Sequence, residues 1–486
     1  MIYSLPRKLT IHEISNIASG AAIRVSPEAK AQVKLYYEMA NKIALTQPVY
    51  GRSTGVGANK QTATAIDPAT HGMNLLRSHA VDAGPTLTVE ETRALLTVRL
   101  NQLLHPGSGI DPSVIDGLER MLLSNSLPEV KHFGGIGTAD LPALAGVGLA
   151  LAGERPTSGA PFQPIGPIKA DSALPFMSSS APTLARAALA TVWLERLLEA
   201  AIATFALSAF GSRADMAAFS EDAARTVASP AAVENAVRLR VLLDGSEWVA
   251  SRIQDPFCFR AFLPAVSTLS VATARLREAV ESQASHAREN PRFFGEQQRA
   301  VHHGAFLETR LAHELDSTAI AVAQTAPLIL ARLRFMNDDG FSGLPRFLAP
   351  DGGGNSGTMI VEYLAASAMG EVHAAAAPIS THSAVLSCGV EEDATFAPTA
   401  LAKLSRALEA YELMIASEIV VAARTIKLRQ GRAPLDVGGG ITRLLELCAS
   451  LPEGFEDRDL RDDVQLAREM IDGFAQTCRI STARLR

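Results

Sequence analysis

Apolar residues recur at helical spacing over most of the chain beyond its first hundred or so positions. Leu194, Leu197, Leu198 and Ala201 form one row, and Leu269, Ala272, Leu276 and Val280 a second. Leu311, Leu315, Ala319, Val322 and Ala326 form a third. Steps of three and four put each row on one face of an α-helix. These stretches are long and poor in breakers, although Pro327 predicts a kink in the third. Narrow, Ala-rich faces favour close helix packing, hence a bundle. Strand-like alternation is nearly absent, apart from Ala22 to Val25, and no repeat period supports a solenoid.

The first hundred residues read differently. Thr10-Ile-His-Glu13 and Thr88-Val-Glu-Glu91 have capping-box form. Ser26-Pro27-Glu28 opens a helix running toward Gln47, and the Thr88 helix stops near Pro106-Gly107. Between them lies a Gly/Ser/Thr loop from Tyr50 to Asn59. The fold class read from these patterns is all-α: a small N-terminal domain, 1–109, and an elongated helical-bundle domain, 110–486.

The 486 residues carry 45 Lys+Arg against 51 Asp+Glu, a formal charge of −6. No basic excess points to nucleic acid or an anionic membrane as partner. Cys258, Cys388, Cys448 and Cys478 are scattered and form no CxxC pair, as in a reducing compartment. The start, MIYSLPRKLTIHE, has no apolar core of signal-peptide length. The greasy run from Ala181 to Phe210 is broken by Arg186, Glu195, Arg196 and Glu199, so it is not read as a membrane span. The expectation is a soluble cytoplasmic protein. His302-His303 near Glu308 lack the HExxH spacing, and no metal is expected.

Several segments could carry chemistry. In KHFGGIGTADLPALAGVGLALAGE, from Lys131 to Glu154, a glycine loop leads to Asp140 as a candidate N-cap and then to an apolar helix. Tyr50-Gly-Arg-Ser-Thr-Gly-Val-Gly57 is glycine-rich but lacks the Lys-Ser/Thr ending of a phosphate-binding loop. Ser178-Ser-Ser180 reads locally as a helix N-cap. In Gln254-Asp-Pro-Phe-Cys-Phe-Arg260, an arginine beside an apolar turn suits a carboxylate clamp. Gly352-Gly-Gly-Asn-Ser-Gly-Thr-Met359 reads as a turn into a helix capped by Asn355 or Ser356, and Val390-Glu-Glu-Asp393 is an acidic cluster.

In this order, from Leu9 to about Asp436, these segments resemble the aromatic amino acid ammonia-lyases: histidine, phenylalanine and tyrosine ammonia-lyases and related aminomutases. The resemblance implies a mostly helical lyase fold and a homotetramer whose active sites draw on several subunits. It implies Tyr50 as the base that removes a carbon-bound proton, and Glu391, or Glu392 one place on, as the group contacting substrate amine or imidazole. The Ser78-His79 pair is similar to the histidine-lyase version and suits a polar ring. Gln254, Phe257 and Arg260 stand at substrate positions, Arg260 on the carboxylate and Phe257 where the family has Tyr. Ser178 replaces an Asn, and Thr358 a Phe that covers the electrophile. That electrophile, methylidene-imidazolone, forms in the family from Ala-Ser-Gly. Here the three positions are Gly137, Thr138 and Ala139.

The ring is expected to be absent from most of the protein, and no other cofactor is expected. Ala139 adds a methyl where cyclisation compresses the turn, and Gly137 adds backbone freedom to lose. Thr138 would leave a crowded ethylidene. The leading function is a carbon–nitrogen lyase or aminomutase acting on an aromatic or polar amino acid. A second is ring-free acid/base chemistry on an amino-acid-like substrate by Tyr50, Arg260 and Glu391. A third is a non-catalytic relative that binds a ligand or partner.

Overall fold

The computed structural model describes residues 2–64, 66–350 and 354–483; Gly352 and Gly353 of the glycine turn lie outside them. Among the described residues helices dominate, and the four small sheets have two strands each. Ala22–Val25 is a strand, paired in parallel with Ile2–Leu5.

Two compact units share the chain. The first comprises Met1–Val192, Leu276–Asp316 and Pro378–Ala402. The second comprises Trp193–Arg275, Ser317–Ala377 and Lys403–Arg486. The helices Ala181–Ser212, Phe262–Ala284, Thr309–Asn337 and Ala397–Gln430 contribute residues to both. The expected division after residue 109 falls inside the first unit, where Ile110 is buried. One interior serves both sides of that point. Arg99, wholly buried, pairs with Glu289 at 2.8 Å and donates to the Phe176 carbonyl at 3.0 Å. Such a pair is costly to break, because either partner alone would be an uncompensated buried charge.

In the second unit Arg332 and Glu418 do the same. Arg332 Nη2 donates to Glu418 Oε2 at 2.8 Å, and Ser208 Oγ donates to Glu418 Oε1 at 2.7 Å. The Phe205 and Phe262 rings stack with centroids 3.6 Å apart, and Arg332 lies over Phe205 at 5.0 Å. By length and composition, Phe257–Ala284 and Thr309–Asn337 could cross a membrane. The second of them carries Arg332, ion-paired inside its unit, as core helices of globular proteins do.

Local capping rules hold at three of the expected helix starts and yield at two others. Thr10 with Glu13 and Thr88 with Glu91 form complete capping boxes. Ser26 caps Pro27–Ala44, which ends before Gln47. Asp140, in contrast, makes no side-chain cap to Leu141–Ala152. Its Oδ2 accepts from the Thr183 N–H at 3.0 Å and from Thr183 Oγ1 at 2.7 Å. Neither Asn355 nor Ser356 caps Met359–Ala375. The Asp457 carboxylate accepts from the N–H groups of Ser356 and Gly357 at 2.9 and 2.8 Å, a distant anion placed against a helix N-terminus. Thr309–Asn337 runs through Pro327 without interruption, since a long helix retains its other bonds when one N–H is missing.

Candidate active site

The Tyr50 loop turns at Gly51 (φ 72°) and Gly57 (φ 55°). A Cβ on Gly57 would meet Ser387 Oγ at 2.4 Å, so glycine lets the loop settle against residues 387–391. The Gly57 N–H donates to the Tyr50 hydroxyl at 2.7 Å, and the Ala58 N–H to Ser387 Oγ at 3.0 Å. The Tyr50 N–H donates to His302 Nε2 at 3.3 Å, and the two rings meet edge to face with centroids 6.3 Å apart. Burial raises the Tyr50 pKa above that of a free phenol. The Gly57 N–H opposes the rise, and the nearby Glu391 carboxylate adds to it. In the resting chain the phenol is therefore protonated at neutral pH.

Residues 137–139 are tied to two segments distant in sequence. The Gly137 carbonyl accepts from the Glu308 N–H at 2.9 Å and from Thr395 Oγ1 at 3.1 Å. Thr138 makes an isolated antiparallel bridge with Leu307, and the Ile136 carbonyl accepts from the Phe396 N–H at 2.8 Å. Gly137 has φ 84° and Ala139 φ 73°, the left-handed region that costs an L-residue energy. Gly137 and Ala139 are buried, and Thr138 is half-buried.

Two segments thus join the Tyr50 loop to the 137–139 loop. Residues 302–308 touch Tyr50 at one end and Gly137 at the other. Residues 387–396 touch Ala58 at one end and Ile136–Gly137 at the other.

Beside the second loop lie two buried carboxyl groups. Glu308 forms an ion pair with Arg288 at 3.1 Å, and Asp140 and Ser180 are its neighbours. Among the described residues Asp140 Oδ1 accepts no hydrogen bond, and the Ser180 hydroxyl faces Glu308. Burial pushes Glu308 up to about 7, with Arg288 opposing and Asp140 reinforcing the rise. Burial also raises Asp140, against the bonds from Thr183.

The remaining candidates are distributed as follows. Ser78 Oγ and His79 Nδ1 lie 3.1 Å apart, and both contact the Leu75 carbonyl, at 3.0 and 2.8 Å. A carbonyl only accepts, so the His79 proton sits on Nδ1 and Nε2 is the acceptor nitrogen. Ser178 closes the helix Ala170–Met177, and its Oγ accepts from the Asn290 N–H at 3.1 Å. The neighbouring Ser179 Oγ accepts from Ala181 N–H at 3.0 Å, the capping role that sequence assigned to this triplet. Four candidates belong to the second unit. Gln254 and Arg260 are exposed there, and the Arg260 guanidinium lies 4.2 Å over the Phe257 ring, itself 66% exposed. Thr358 is buried, its hydroxyl donating to Asn337 Oδ1 at 2.6 Å.

The structure places Tyr50 beside Glu391 and His302, places Gly137 against Glu308 and Thr395, and connects the two groups through residues 302–308 and 387–396. His302 and Glu308 drew notice in the sequence only as metal candidates, and Thr395 had no local signal. Glu391, rather than Glu392, is the acid that acts on Tyr50.

The aromatic amino acid lyase model matches residues 9–449, and the chain belongs to that family. It is 28% identical to the histidine ammonia-lyase of Myxococcus xanthus over 96% of this chain and 95% of that one. Its fold is similar to the crystal structure of ergothionase, an ergothioneine-degrading enzyme from Treponema denticola, at 25% identity and a TM-score of 0.90, covering 98% and 99% of the chains. A tyrosine aminomutase from Streptomyces globisporus shares the fold at 22% identity and a TM-score of 0.90, covering 100% and 99%.

Proposed function

We propose that the protein is a carbon–nitrogen lyase that expels an amine from an amino-acid-like substrate by acid/base chemistry. Tyr50 is the base, and residues 137–139 remain uncyclised. The observation that carries this reading is the double link, through 302–308 and 387–396, between the Tyr50 loop and the 137–139 loop. The residues present do not suit the ring. Alanine, the family's first residue, would place a methyl 2.0 Å from Thr395 Oγ1 if it stood at 137. The third position carries a buried methyl at φ 73°, where glycine is unstrained. Threonine at the centre would leave a hindered alkene.

Without an electrophile the substrate must supply its own leaving group. A base beside a primary ammonium takes the acidic N–H before the C–H. A quaternary ammonium has no N–H, so only the carbon-bound proton can be lost. Tyr50 phenolate then takes the β-proton, and the C–H electron pair forms the Cα–Cβ double bond. The C–N bond breaks with its pair leaving on nitrogen, giving an unsaturated acid and a neutral tertiary amine. A cationic nitrogen next to Glu391 and Tyr50 also favours the phenolate that burial disfavours. His79, with Nε2 as acceptor, suits a polar, histidine-like ring.

The substrate carboxylate is assigned to Arg260. This residue, Phe257 and the fully exposed Ile253 form a surface that a second copy would cover. We therefore read the working form as a homotetramer with shared sites.

The test is a panel of histidine, phenylalanine and tyrosine, their N-trimethyl betaines, and ergothioneine, scored for released amine and for the unsaturated acid. Amine release from a betaine, abolished in Tyr50→Phe with fold and assembly intact, is the expected result. Ammonia release from the unmodified amino acids overturns it in favour of the ordinary ammonia-lyase reaction. Full activity in Tyr50→Phe would require another base. Binding of panel members without any turnover would make the chain a non-catalytic relative.

A further inference from the structure

We infer that the second unit holds an anion site built from Arg213, Arg252, Arg429 and Arg432, which takes a multivalent oxyanion of the phosphate class. Arg213, Arg429 and Arg432 lie outside every segment invoked for the lyase reaction, and Arg252 directly precedes the Ile253–Arg260 segment. Three of the guanidiniums are fixed by two short runs of carbonyls. Arg429 Nε donates to the Gly211 carbonyl and Nη2 to the Ser342 carbonyl at 2.7 Å. Arg252 donates to Ser212 and Phe341 at 3.2 and 3.3 Å, and Arg432 Nη1 to Gly343 at 2.8 Å. Because 211–212 and 341–343 are consecutive residues, the three cations converge on one place.

Arg213 follows directly on Ser212, at φ 52°. Its carbonyl accepts from the Ser251 N–H at 3.2 Å, which places it beside Arg252. Among the described residues only Arg252 of the four has a carboxylate partner, Asp255 at 2.8 Å. The acids of the nearby turn are engaged elsewhere: Asp339 pairs with Arg346 at 3.0 Å, and Asp338 Oδ1 accepts from the Phe341 N–H at 3.1 Å.

Capping of helix C-terminal carbonyls accounts for part of this arrangement. It does not account for four like charges. Burial and the positive charges of Arg213, Arg432 and Arg252 together push Arg429 down to about 10, and no carboxylate counters them. Among the described residues the Arg213 guanidinium donates to no protein acceptor, and the Arg432 guanidinium uses one of its N–H groups. Those forked donors match the oxygens of a phosphate, which would relieve the mutual repulsion.

The experiment uses the full chain and inorganic phosphate, with calorimetry and thermal midpoints measured against chloride at equal ionic strength. Arg213→Gln and Arg432→Gln are the variants, because Arg429 supports two helix ends and its loss could harm the fold. The expected result is saturable phosphate binding with a raised midpoint, weakened roughly tenfold in each variant, as loss of a charge-assisted bond implies. A nucleoside monophosphate arm separates the sources. Tighter binding than inorganic phosphate assigns the site to the phosphate of a larger ligand, and equal binding assigns it to the free ion. A phosphate response equal to that of chloride, or unchanged in both variants, overturns the inference. So does a variant that alters assembly while leaving the phosphate response intact, since the arginines would then be paired with acids of another copy.

Discussion

Glu308 and Asp140 stand beside Gly137 with one guanidinium, Arg288, facing Glu308. A carboxyl raised to about 7 in the folded protein binds its proton more tightly there than in the unfolded chain. Its contribution is fully present below the unfolded carboxylate range and is lost as pH climbs from there through 7. At most this amounts to roughly 3 kcal/mol. Wild-type stability should therefore decline between pH 5 and 8 more steeply than that of Glu308→Gln, whose amide cannot ionise. Denaturant titrations at several pH values check this, and parallel curves for the two proteins would remove Glu308 as the titrating group. Sequence gave this pair no prominence. Asp140 looked like a cap, and Glu308 is a single acid after an apolar run. The Tyr50 loop and the acidic cluster at Glu391 drew notice because a glycine-rich loop and an acidic run in that order resemble a known family. Thr395 and His302 reach the site only by tertiary approach, which leaves no local pattern.

Helix ends show the same division. Thr10 and Thr88 obey local rules, since each partner lies three residues away on the same turn. Thr10→Ala should cost about 1 kcal/mol in urea denaturation, the usual loss for an N-cap. At Asp140 and at Ser356 a partner from elsewhere wins: Thr183 in one case and Asp457 in the other. No window along the chain contains both members of either pair. The 137–139 loop carries the sharpest prediction at this scale. Gly137→Ala restores the family's first residue, but the methyl meets Thr395 Oγ1 at 2.0 Å and the Ala397 nitrogen at 3.0 Å, at φ 84°. The variant should be destabilised by about 1–3 kcal/mol, through overpacking and left-handed strain. An unchanged or raised midpoint would mean that this loop adopts another shape.

Over the whole molecule, the helical architecture was readable because apolar spacing dictates it. The two discontinuous units were not, because pairs such as Arg99 and Glu289 join segments far apart in sequence. The homotetramer proposed above predicts sedimentation well beyond a monomer at working concentration, and a stable monomer would count strongly against shared sites. Arg260→Lys should then weaken binding of a carboxylate substrate despite keeping the charge, because the two-pronged donor is lost. Unchanged affinity would take Arg260 out of the site. Whether catalysis proceeds without the ring is decided at Gly137, Thr138 and Ala139. Intact-mass measurement of the purified chain, with peptide mapping across these residues, is the most direct test. The expected mass is the one encoded by the sequence, and a chain lighter by two waters localised to residues 137–139 would contradict ring-free catalysis.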